Sequence, residues 1–186
     1  MPKIPRAEAT TEQLNLTIQR MIEGKNDREI AILAGAYLEG LLFRLLRSTI
    51  VDSVLQQAEP LFRYPLPMSS FGNMISLAYA FGVIGNSEFI SLQLVKNVRN
   101  HCAHSIGLSD ETSVSFDSEP VKKLLREFHP RKVLESMPKE MRESISSDFE
   151  KFLKFDPRLA FRMAFCHAAT ILSIRLQTSK PIESPN

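Results

Sequence analysis

Apolar residues recur along this chain at intervals of three and four, and strand-like alternation is almost absent. That spacing predicts helices. Residues 10–23 place Leu14, Ile18 and Met21/Ile22 on one face, and Gly24 ends the segment. Asp27 is read as the cap of a long helix over about 28–48. Only Tyr37, Glu39 and Arg44 interrupt its apolar interior, IAILAGAYLEGLLFRLL, as expected of a helix buried on most sides. A short helix is expected over 51–59, and the prolines of RYPLPMSS enforce a loop. Ser69 or Ser70 then starts a helix to about 82, with Met74, Leu77, Ala78 and Phe81 on one face. Gly82 and Gly85 bracket a turn, and Ser87 is read as the cap of a helix over about 88–105. A loop covers 107–117. Further helices are expected over about 118–128 and 138–153. Asp156 and Pro157 open the last one, to about 178, as an N-cap followed by proline at the first helical position.

The pattern therefore predicts an all-α fold: a single-domain bundle of about seven or eight helices spanning 1–186. Helices 28–48 and 157–178 are expected at its centre, and the termini, about 1–9 and 179–186, are expected to fray. Both central helices are apolar nearly all round, which one modest domain has little interior to hide. A homodimer is the expected solution.

Composition narrows the function. The chain is 44% hydrophobic and 24% charged, which is ordinary for a globular domain. Its 23 basic and 21 acidic residues leave a formal charge of +2, too little for general affinity to nucleic acid. The basic run KKLLR at 122–126 reads as a solvated helix face. With no helix suited to the major groove, direct sequence-specific DNA binding is not expected. Cys102 and Cys166 form no C-x-x-C, which fits a reducing, cytoplasmic setting. Neither a signal core nor a membrane span is expected. Neither is a metal or a cofactor, since zinc-site spacing, a P-loop and a dinucleotide fingerprint are all missing from the sequence.

Candidate chemistry concentrates in VRNHCAHS, residues 98–105. Around Arg99, helical neighbours are Leu92, Val95, Lys96, Cys102, Ala103 and Ile106, so its guanidinium leaves from a mostly apolar face. Such a charge calls for a partner. Glu39 is the best candidate, set among Ile32, Ala36, Phe43 and Leu46; a helix-edge Glu39 that reaches water is the other reading. Asn100 and His104 share a face. Arg99 and His104 stand about 140° apart around the helix and would flank a groove. The pair admits two readings. In one, Arg99 binds a phosphate and His104 exchanges protons near neutral pH. In the other, Arg99 braces the bundle through a structural ion pair with Glu39, and His104 complements the helix C-terminus. His167, among Met163, Ala164, Ile171 and Ile174, reads as a core histidine, and both cysteines read as small core residues.

Residues 65–105 also carry a family likeness. PLPMSSFGNMISLAYAFGVIGNSEF, followed by LVKNVRNHCAH, resembles the mannitol operon repressor family. The features in common are the loop at Pro65 and Leu66, the helix end at Leu77, Tyr79, Phe81, Gly82, Val83 and Ile84, and Arg99 with His104. Phe81 stands where leucine is frequent. The likeness covers about residues 25–117. It implies an all-helical bacterial transcriptional regulator, without implying a DNA reader, and so one that acts through contacts with another regulatory protein. RNHCAH further resembles the motif of HEPN helical domains, many of which are metal-independent ribonucleases that pair two motifs across a dimer. That likeness implies Arg99 as phosphate holder, His104 in proton transfer and Asn100 as orienting group, with RNA as substrate. Ile106 stands where some members have tyrosine.

Overall fold

The computed structural model describes residues 26–50, 58–63, 67–104, 115–126 and 156–178. Among them are five α-helices and no strand: α1 (Asp27–Ser48), α2 (Phe71–Ala80), α3 (Asn86–His104), α4 (Glu119–Arg126) and α5 (Pro157–Thr178). Two short 3-10 turns, Glu59–Phe62 and Pro67–Ser69, lie between α1 and α2. The described part of the chain is thus all-α. The helices expected over 10–23 and 138–153, most of that over 51–59, and both termini lie outside the described residues.

Local chemistry explains the boundaries. Asn26, not Asp27, caps α1: its side chain accepts from the backbone N–H groups of Arg28 (3.0 Å) and Glu29 (3.3 Å). Asp27 is thereby released for a tertiary role. Ser70 caps α2 through the N–H of Asn73. Ser87 caps nothing. It lies inside α3, which begins one residue earlier, and its hydroxyl donates to Glu88. Asp156 caps α5 through Leu159, with Pro157 at the first helical position.

The end of α2 is built around Gly82. Val83 N–H reaches the Ala78 carbonyl at 2.8 Å and Gly82 N–H reaches that of Tyr79 at 3.0 Å. This is the Schellman pattern, which needs a left-handed residue just past the helix. Gly82, at φ 68°, supplies it. The chain then reverses, and α3 runs back beside α2, with the Tyr79 and Phe89 rings stacked 4.5 Å apart.

The core lies where α1, α3 and α5 all pack on one another. Leu38, Leu42, Leu45 and Leu46 of α1 meet Leu92, Val95 and Val98 of α3 and Phe161, Ala164, Phe165 and Leu172 of α5. The sequence placed two helices at the centre; α3 is a third, its polar outer residues having masked a fully buried Leu92–Val95–Val98–Cys102 stripe. Conversely α1 is less enclosed than its composition suggested. Ile32 and Leu33 are 37% and 42% exposed. α5 is long and apolar enough to cross a membrane by length and composition, yet its apolar side is the bundle core.

Gly82→Ala is expected to lower stability by about 1–2 kcal/mol, because a Cβ is disfavoured in the left-handed region. Urea unfolding of the two proteins checks this.

Candidate functional site

The Arg99 site forms where α3 crosses α1 at Gly35. The aliphatic stem of Arg99 lies on the glycine, so close that a Cβ there would meet Arg99 Cγ at 2.8 Å, Cδ at 3.0 Å and Cβ at 3.2 Å. The stem directs the guanidinium one turn along α1, and Nη2 comes to 3.8 Å from Glu39 Oε2. That separation is ionic contact without a good hydrogen bond. The side chains are 33% and 22% exposed, so solvent screens the pair. Asn100 and His101 are half-buried beside it, and His104 is exposed at the last residue of α3. The structure therefore brings Arg99 to Glu39 and leaves His104 at the helix end.

Cys102, one turn beyond Arg99, is fully buried. Burial, with the Asp27 charge adding to it, pushes its thiol up to about 11, so it stays protonated at neutral pH. Cys166 is likewise pushed up by burial. Among the described residues no cluster of three or more His, Cys, Asp or Glu is gathered to hold a metal.

Two buried carboxylates have tertiary partners that the sequence does not indicate. Asp27 accepts from Ser115 Oγ (3.0 Å), from the backbone N–H of Phe116 (2.8 Å) and from Arg158. One side chain at the start of α1 thus ties down the segment before α4 and the start of α5. Glu88, in the first turn of α3, accepts from Arg175 Nη2 at 3.0 Å and from Ser87. Burial pushes the Glu88 carboxyl up, but its own backbone N–H, Arg175 and Ser87 together outweigh that and hold it below the usual range. One turn on, Ser91 Oγ and His167 Nδ1 share a hydrogen bond at 3.0 Å. His167 is buried, and burial pulls its pKa down against the opposing pull of Glu88. The core-histidine reading fits this place. The signal available for Glu88 was weak: a carboxylate three residues after Gly85, where a helix begins.

No family model and no curated protein matches this chain. A chain of the X-ray structure of the MtlR-HPr complex from Escherichia coli superposes with a TM-score of 0.59, covering 86% of this chain and 97% of that one. The fold is MtlR-like. Identity is 18%, so the likeness is one of fold.

Two outcomes follow. Gly35→Ala forces the Arg99 stem aside, at about 1–3 kcal/mol for overpacking against about 1 kcal/mol of gained helix propensity. A net loss of roughly 1 kcal/mol is expected, and it should vanish when Arg99→Ala is already present. A double-mutant cycle by urea unfolding reads this coupling. Acid acts through the other cluster. The folded state keeps His167 neutral below its ordinary value of 6.5, while the unfolded chain takes the proton. Stability is therefore complete above that value and is lost as pH falls through the depressed folded pKa. Glu88, also depressed, continues the loss below its ordinary 4.5. Thermal melts between pH 7 and 4 should fall in midpoint, with His167→Gln flattening the upper part of the decline.

Proposed function

We propose that this chain is a bacterial transcriptional regulator of the mannitol operon repressor type, working in the cytoplasm through contact with another protein. The observation that carries this reading is the fold shared with a chain of the MtlR-HPr complex. It is supported by the sequence pattern from Pro65 to His104 that resembles the same family. HPr of the same host is accordingly the partner to test. On this reading Arg99, seated on Gly35 and facing Glu39, braces α3 against α1. The near-balanced charge fits a protein that regulates without reading DNA itself.

A second reading is favoured by one feature: Arg99 keeps a third of its side chain in solvent, and His104 is exposed on the same helix. A HEPN-type ribonuclease would use such groups, with Arg99 on the scissile phosphate, His104 in proton transfer and Asn100 orienting them.

Titration calorimetry of the purified chain with HPr at physiological salt is expected to show saturable binding, and its absence at roughly 100 μM of each protein would count against HPr as partner. The same preparation, incubated with mixed RNA in EDTA, is expected to leave the RNA intact. EDTA-resistant cleavage that disappears in His104→Ala would move the assignment to the nuclease.

A further inference from the structure

The two oxygens of Asp27 serve different parts of the molecule. Oδ1 accepts from Arg158 of α5. Oδ2 accepts from Ser115 Oγ at 3.0 Å and from the buried Phe116 N–H at 2.8 Å. One oxygen thus serves the bundle, and the other holds the stretch Ser115–Arg126, which leads into α4 and through it.

That stretch is lightly attached. Phe116 lies against Phe161, ring centroids 4.7 Å apart. Val121 and Leu125, one turn apart, are the buried residues of α4, which packs on α3 and α5. Two buried residues compare with seven in α3, so α4 can leave at far smaller cost in apolar burial. Asp117, Glu119, Pro120, Lys123 and Arg126 are exposed. Lys122 pairs with Asp117 and Glu119, and Arg126 with Glu119, so these ion pairs tie the stretch to itself and survive its movement.

Two features favour lifting. Asp27 keeps Arg158 when Ser115 and Phe116 let go, so no buried charge is stranded. The Ser118 hydroxyl, just ahead of α4, is buried with no hydrogen-bond partner. A hydroxyl in that state is penalised relative to one in water, and lifting the stretch returns it to water.

We propose that Ser115–Arg126 is a strap that lifts from the bundle as a unit while α1, α3 and α5 stay packed, with Asp27 Oδ2 as its latch. The open form bares Phe161 and the sides of α3 and α5 that α4 covers. It gives the chain a second conformation without global unfolding. Two serines set the balance: Ser115 holds the strap down, and Ser118 works against it. The inference does not depend on either reading of function.

Native-state hydrogen exchange of the full chain, resolved by NMR, tests it. The Phe116 amide is the probe, because it is buried and bonded to the latch itself. After correction for intrinsic rates, it is expected to exchange at least tenfold faster than the amides of Leu42, Val95 and Ala168. Its dependence on low urea should also be weaker, since little surface is exposed. Ser115→Ala removes a bond to the latch, together with the strap's own Asp117 N–H contact, and should speed Phe116 exchange about tenfold. Ser118→Ala should slow it several-fold. Ile75→Val, in the core part of α2, should speed exchange at Leu42 and Val95 about fivefold and leave Phe116 unchanged, because the open form still contains that core. Phe116 exchanging at the rate and urea dependence of Val95 would overturn the proposal. So would a Phe116 amide that speeds up with the core in Ile75→Val, or one indifferent to either serine substitution.

Discussion

Two carboxylates that water barely reaches hold the bundle in register. Asp27 opens α1 and Glu88 lies in the first turn of α3, so each sits where a helix N-terminus favours negative charge. Each also takes an arginine from α5: Arg158 at that helix's start and Arg175 near its end. The two arginines are about 25 Å apart along α5 at 1.5 Å per residue. Apolar packing among leucines, valines and phenylalanines attracts without direction. It would tolerate α5 sliding by a turn; two charged contacts at opposite ends would not, because sliding would strand a buried charge at each. Ion pairs of this kind add little net stability against an apolar replacement. What they contribute is a defined axial position for α5, and through it the alignment of α1 with α3.

The Arg99 site depends on that alignment. A guanidinium stem can lie on α1 only where α1 has no side chain, and Gly35 is the buried position that qualifies. A displacement of α3 by one residue would put the stem against Ala34 or Ala36. The separation of 3.8 Å from Glu39 is thus inherited from helix packing fixed elsewhere, not imposed by a hydrogen bond between the two groups. The arrangement tolerates a loose ion pair because the stem, not the charge, does the locating. Arg99 also keeps a third of its side chain in solvent, which is why two functional readings meet at one residue.

Much of the fold was legible because helix signals are local. Asp156 with Pro157, the Gly82 turn and the apolar period of α1 and α5 each announce themselves within a few residues. What stayed hidden depended on contacts distant in sequence. Asp27 looks like an N-cap by position, yet Asn26 takes that work one residue earlier, and nothing near Asp27 in sequence points to Phe116 or Arg158. α3 was undervalued because Gln93, Lys96, Asn97 and Asn100 dilute its composition, although its buried stripe is continuous. For α1 the error ran the other way. A sequence apolar nearly all round was read as burial on most sides, whereas Ile32 and Leu33 remain exposed. At the candidate site, spacing named Arg99 and Glu39, while the role of Gly35 required knowing which helix crosses there.

That exposure has its cause in how α1 is packed. The buried residues of α1 face both α3 and α5, and Ile32 and Leu33 lie outside that core. Exposed Ile32 and Leu33 lie on a helix that also carries exposed charges at both ends. The same clamp that sets α5 against α1 keeps these two residues facing outward, because rotating α1 to hide them would pull Asp27 from Arg158 and drive Arg99 off Gly35. Burial of charge inside the bundle and exposure of apolar surface outside it are therefore two results of one packing arrangement.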